Sequence, residues 1–278
     1  MLNQTPSKTP AKTNGKRVAT VSHLRAFVDG VDGFFSQLPP FVSDGVDGVE
    51  AWNEVHVGDG VLAAYGWLND TAWSHAHGKL RFELVRSQSL LVRELADESA
   101  ELPGEVEILD AFDEQARWLF DRCAGDFGAA VVRDDRYLNR RFVDDANQEY
   151  LRLGARDAEG ILRGYAILRF ESSPLARPDW RRGASAGAFL VDWLVPPTEP
   201  EVGELLARAA VAAAATRAAP NLALVMPEWS PWSLTFQDWG WFVEPSERLV
   251  AVRSSVPKYD MYWLRDHWWY QAAESHLV

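Results

Sequence analysis

Asp192 is the one acid in an otherwise apolar run, Gly187-Ala-Phe-Leu-Val-Asp-Trp-Leu-Val195. An ionised carboxyl among apolar side chains must find a partner. Held beside an amine, it can take a proton directly or through water as a general base. It can equally emerge at a sheet surface or be satisfied by an arginine, and both readings stay open. Cys123 is the only cysteine, so neither an internal disulfide nor a cysteine-based zinc cluster can form. It lies in the helical pattern that begins at Phe112, where a small buried residue is expected rather than an activated nucleophile. His75, His77 and Asp70 could be taken for a metal cluster. Helical residues two apart do not share a face, so no metal is expected there. Asp29-Gly-Val-Asp-Gly33 and Asp44-Gly-Val-Asp-Gly48 repeat an acidic theme. They lack the spacing and terminal Glu of a calcium loop and read as turns. A Walker loop and a His-Glu-x-x-His pair are absent from the sequence.

The 278 residues suffice for one large or two small cores, and 47% hydrophobic with 24% charged residues is ordinary for a globular chain. A net charge of -12 argues against a cationic stripe for nucleic acid. No run approaches a membrane span. Residues 1–17, with Lys8, Lys12, Lys16 and Arg17 among small polar residues, read as a disordered tail without a secretory apolar region. A cytoplasmic protein is the expectation. Of 13 tryptophans, seven lie beyond residue 228. Most should fill a core, with Trp268 and Trp269 partly exposed beside a polar end.

Elements that would position these groups follow from pattern. Val18–Asp32 has a helical scatter of apolar residues. Val61–Tyr65 reads as a strand, and Asn69 or Asp70 can cap a helix to about His77 with Gly78 as its stop. Phe82–Val85 and Leu90–Arg93 read as two strands, and Pro103-Gly104 as a break. Val106–Leu109 is a strand and Asp113–Cys123 a helix. Tyr150–Arg156 and Gly164–Arg169 alternate around Asp157-Ala-Glu-Gly160 as a hairpin. A loop follows from Ser172 to Ser185. The run around Asp192 suits a strand covered on both faces. Thr198-Glu-Pro-Glu201 matches a capping box, opening an Ala-rich helix to about Ala218. Asn221–Met226, Ser230–Asp238 and Leu249–Arg253 read as strand, short helix and strand. The order is that of an α/β fold with a mixed central sheet and flanking helices.

Before the hairpin stands Tyr137-Leu-Asn-Arg-Arg-Phe142. It resembles the "Tyr-Leu-x-Trp-Arg-Tyr/Phe" element of the GNAT (N-acetyltransferase) superfamily, with Arg140 in place of the Trp. Residues 105–278 resemble a GNAT domain in their element order. Residues 18–100 resemble a partial first half, through Tyr65-Gly-Trp-Leu-Asn69. At an offset of 160, Leu62-Ala63, Phe82 and Val92-Arg93 recur as Leu222-Ala223, Phe242 and Val252-Arg253. Tyr262-Trp-Leu-Arg-Asp266 resembles a closing strand of this group. The resemblance implies an acyl-CoA N-acyltransferase fold that moves an acetyl group from acetyl-CoA to an amine, on a small molecule or an envelope or sugar precursor. It places Asp192, Glu228 and Ser233 at catalytic positions. It places Leu194, Val195 and Gly203 at the cofactor, whose pyrophosphate would sit on backbone N–H groups at a helix start. Here that place reads Val195-Pro-Pro-Thr-Glu-Pro-Glu-Val-Gly-Glu204. Three prolines remove donors and three glutamates add like charge, against the family's Gln/Arg-x-x-Gly-x-Gly/Ala loop. The alternative is therefore a catalytically degenerate GNAT fold acting as a binding or scaffolding module.

Overall fold

Strand β1 (Ser22–Val28) turns back into β2 (Val31–Gln37) through Asp29 and Gly30. Their φ values of 48° and 80° give the two left-handed residues that a tight hairpin requires. This computed structural model describes residues 22–37, 61–96, 98, 101–145, 148–170 and 187–275. The expected tail, the Asp44–Gly48 turn and the 172–185 loop lie outside them. Where a helical scatter suggested a helix before Asp32, the Asp-Gly turn instead pairs the segment with itself, from Ser22↔Gln37 to Val28↔Val31.

Strand β3 (Val61–Leu68) runs parallel to β2. Asn69 caps helix α1 (Asp70–Leu80) by accepting the Ala72 N–H at 2.9 Å. The helix passes Gly78, because Leu80 is buried beside Phe82 and Arg81 takes the left-handed conformation that ends it. The two strands expected next are one, β4 (Glu83–Glu94). Then follow β5 (Val106–Ile108), α2 (Gln115–Ala124) and β6 (Ala129–Val131). Helix α3 (Asp135–Phe142) is capped by Asp134. The Tyr-Leu-Asn-Arg-Arg-Phe element is this helix. It buries Leu138 and Phe142, and Asn139 bonds both backbone groups of Phe112.

The hairpin forms as expected from β7 (Tyr150–Arg156) and β8 (Leu162–Phe170). Strand β9 (Ala188–Leu194) is buried along its whole length, as a strand covered on both faces must be. Helix α4 (Pro200–Thr216), β10 (Asn221–Leu224), α5 (Pro231–Asp238) and β11 (Phe242–Ser254) complete the sequence seen from the pattern. The expected capping box at Thr198 and Glu201 does not form. Glu199 holds the N-cap position without a capping bond, and its carboxylate turns to arginines instead.

Among the described residues, twelve strands share one sheet in the order β12-β6-β1-β2-β3-β11-β4-β10-β9-β8-β7-β5. A repeat is visible in it. The units β1-β2-β3-α1-β4 and β8-β9-β10-α5-β11 each have an antiparallel pair, a parallel pair, a helix and a last strand. The last strands are exchanged: β11 pairs with β3 and β4, and β4 also pairs with β10. The offset of 160 seen in the sequence aligns β3 with β10 and the start of β4 with that of β11.

The closing segment departs from expectation. Tyr262–Asp266 lies in helix α6 (Met261–His267), which Asp260 caps at the Trp263 N–H, rather than in a strand. Strand β12 (Trp268–Trp269) then runs parallel to β6. Trp268 and Trp269 are each 1% exposed, not partly open. Trp269 stacks on Phe127 at 4.4 Å, and Trp268 packs against Phe35 and Tyr65. Such ring pairs add about 0.5–1.5 kcal/mol beyond area burial, which outweighs the polar character of the neighbouring chain.

Candidate functional site

Strand β9 carries Asp192 to a place where the sheet opens. Its parallel pairing with β10 runs from Ala188↔Leu222 to Leu190↔Leu224 and stops there. On the other edge β8 continues to Leu194, with Val191 as an extra residue between the Leu168↔Leu190 and Ile167↔Asp192 pairs. A bulge of this kind bends its strand and re-aims the side chains that follow. Asp192 therefore sits at the mouth of a wedge between two parallel strands.

A buried polar cluster surrounds it. Tyr165 Oη donates to Asp192 Oδ2 at 3.0 Å, and Arg133 Nη2 donates to Oδ1 at 3.2 Å. Arg133 also pairs with Glu274, donates to the Val131 carbonyl at 2.7 Å, and lies 4.7 Å above the Trp269 ring. Arg133 and Asp192 are wholly buried and Glu274 is 1% exposed. Burial alone would make Arg133 easier to deprotonate, but Asp192 and Glu274 hold its pKa well above the usual value. Glu274 is raised to about 7, first by burial and then by the nearby Asp192 charge, against the lowering pull of Arg133. Burial likewise pushes the Tyr65, Tyr137 and Tyr165 hydroxyls up. The hydroxyls of Tyr65 and Tyr137 have no hydrogen-bond partner among the described residues. One guanidinium thus serves two carboxylates in a dry interior, where a pair is costly to break by removing one partner, while the Arg133 Nε has no hydrogen-bond partner among the described residues.

The other expected catalytic residues do not join it. Glu228 is exposed and pairs with Arg86 at 2.6 Å. Ser233 lies in the first turn of α5, its N–H bonded to the Ser230 carbonyl and its own carbonyl accepting from Gln237. Cys123 is buried, and its thiol is pushed up to about 12, chiefly by desolvation, which leaves it inert. His77 bonds the Phe82 carbonyl and stacks on Trp73, and no cluster that could hold a metal occurs among the described residues.

The positions expected for a cofactor are filled by the chain. Leu194 is core and pairs with Tyr165. The Val195 carbonyl accepts from Trp232 Nε1 at 3.0 Å. The same indole lies so close to Gly203 that a Cβ there would collide with it. Gly203 is needed here for close approach of a tryptophan, not of a phosphate. The anion place at the start of α4 is taken by Glu199. It is 4% exposed and pairs with Arg163 at 2.8 Å and with Arg122. Pro196, Pro197 and Pro200 supply no N–H. These residues do not fit a pyrophosphate.

Sequence reasoning missed Arg133, Glu274, Gln271 and the role of Tyr165. An arginine directly after the apolar run Ala129-Ala-Val-Val132 was a usable signal for a buried cation. Glu274, in Ala-Ala-Glu-Ser, carries no comparable sign.

No family model matches the chain, and no curated protein matches it. Solved structures do. Saccharomyces cerevisiae N-myristoyltransferase with bound myristoyl-CoA aligns over 84% of this chain and 65% of its own, at 9% identity and a TM-score of 0.53. Another structure of that yeast enzyme with bound myristoyl-CoA gives 0.54 at 9% identity, over 84% and 62%. A conserved protein of unknown function from Enterococcus faecalis V583, described as a probable N-acyltransferase, gives 0.50 at 12% identity, over 84% and 58%. The fold is that of the GNAT superfamily. This GNAT-fold chain spans 58% to 65% of the length of those three solved chains.

Proposed function

We propose that this chain is a catalytically degenerate GNAT fold that serves as a binding or scaffolding module. The observation that carries this is Glu199, a buried carboxylate seated by two arginines at the helix start where the fold would otherwise receive an anion. A phosphate entering there would meet like charge and lack backbone donors. The repeat points the same way. Leu38-Pro39-Pro40 follows β2 in the sequence just as Val195-Pro196-Pro197 follows β9.

One observation favours a second reading. The wedge beyond Leu190 and Leu224, with Asp192 at its mouth, has the form of an acyl-transfer cleft. On that reading acetyl-CoA, or a longer acyl-CoA such as the myristoyl-CoA of the yeast enzyme, donates to an amine of a small molecule or an envelope or sugar precursor. Asp192, Glu228 and Ser233 would be its catalytic groups. Both oxygens of Asp192 already accept hydrogen bonds, and the other two lie elsewhere, which weighs against it. Release of free CoA thiol from acetyl-CoA and myristoyl-CoA in the presence of a panel of amines separates the two. The module gives no release above the protein-free rate. Protein-dependent release that saturates with amine establishes the transferase instead.

A further inference from the structure

The end of β9 that β10 leaves, paired there only with β8, is covered by the last described residues of the chain. Tyr270 to Ser275 are at most 4% exposed, yet form only a short 3-10 turn at Ala272–Glu274. Side chains hold them rather than a ladder. Gln271 Nε2 donates to the Trp193 carbonyl at 2.7 Å, on the stretch of β9 that β10 leaves. Glu274 pairs with Arg133 and also accepts the Gln271 N–H at 2.8 Å. Arg141 Nη2 donates to the Ser275 carbonyl at 3.2 Å, and Tyr270 Oη to Gln88 at 2.8 Å. A segment so attached can leave without breaking the sheet.

We propose that residues 270–275 are a displaceable strap over the wedge between β9 and β10, pinned by the Gln271–Trp193 and Arg141–Ser275 bonds and by the hydrogen bond of Arg133 to a protonated Glu274, and loosened as the medium passes from mildly acid to neutral. The groups facing Glu274 come from every packed element: Arg133 after β6, Asp192 of β9, Tyr65 of β3, and Tyr137 and Arg141 of α3. Tyr165 of β8 stands behind Asp192. With one arginine between two carboxylates, the strapped state holds a proton that a solvated glutamate would release. Glu274 titrates near 7 under the strap, above its ordinary 4.5. The strap is therefore firmest below the ordinary glutamate value, and that advantage is lost as pH rises to the strapped one. A released strap would expose the Trp193 carbonyl and Asp192. Closure of the wedge is thereby tied to proton uptake, independently of what the wedge binds.

Hydrogen exchange of the full chain at pH 5, 6, 7 and 8, corrected for intrinsic rates, tests this. Protection of the 271–275 amides should fall by about tenfold per pH unit between 5 and 7 and then level off, while α4 stays constant. Glu274→Gln should remove the slope while the strap stays protected. Gln271→Ala should lower protection at every pH and keep the slope. A flat native profile, an equal slope in Glu274→Gln, or exchange of 271–275 only together with α4 would each overturn the strap.

Discussion

Two parallel strand pairs stand at equivalent places in the repeat and end differently. β2 stays paired with β3 to its last described residue, Gln37↔Tyr65. β9 leaves β10 after Leu190↔Leu224 and runs four more residues without it. Near the first pair, Tyr65 is walled by Phe35 and Trp268, and its hydroxyl has no bonded partner among the described residues. Beyond the second pair lies the Arg133, Asp192, Glu274 and Tyr165 cluster. Both places touch the same buried region, yet one is closed by aromatic packing and the other by ion pairs. A parting of strands in a dry core needs polar groups to satisfy the backbone it frees, and here the chain supplies them from its own end.

The largest expected break is at the ionic side. Arg133→Met leaves two buried carboxylates without a cation and should cost about 3–5 kcal/mol of unfolding free energy in urea denaturation. A loss under about 1 kcal/mol would mean that the carboxylates are not jointly buried. The tyrosines sharpen the contrast. Tyr165→Phe removes a bond to a charged group and should cost about 1.5–3 kcal/mol. Tyr65→Phe removes a hydroxyl that bonds nothing described and should change stability by less than about 0.5 kcal/mol, or raise it. Equal costs in the two would erase the distinction between the two strand ends.

How much of this was legible in the sequence follows from what each element depends on. The hairpin, β9, α4 and β10 rest on local alternation, apolar runs and helix-start prolines, and they stand where the pattern put them. The β1–β2 hairpin was misjudged because seven-residue strands without clean alternation resemble a helical scatter. Helix α6 and the buried Trp268 and Trp269 depend on pairing with β6, 139 residues earlier at Trp269↔Ala130, a partner that no local window contains. The candidate site divides likewise. Asp192 was visible as an acid in an apolar strand, and a satisfying arginine was one of its readings. That the arginine is Arg133, and that Glu274 shares it, depends on contacts across 59 residues for Asp192 and on the path of the chain end. The exchange of β4 and β11 left only a faint trace, the recurrence of a few residues at an offset of 160.

The central claim is that the chain's own Glu199, Trp232 and prolines occupy the place where a GNAT fold would receive a CoA pyrophosphate. Calorimetric titration of the full chain with acetyl-CoA tests it most directly. The account predicts no saturable heat up to millimolar ligand; stoichiometric binding that saturates below that range would contradict it.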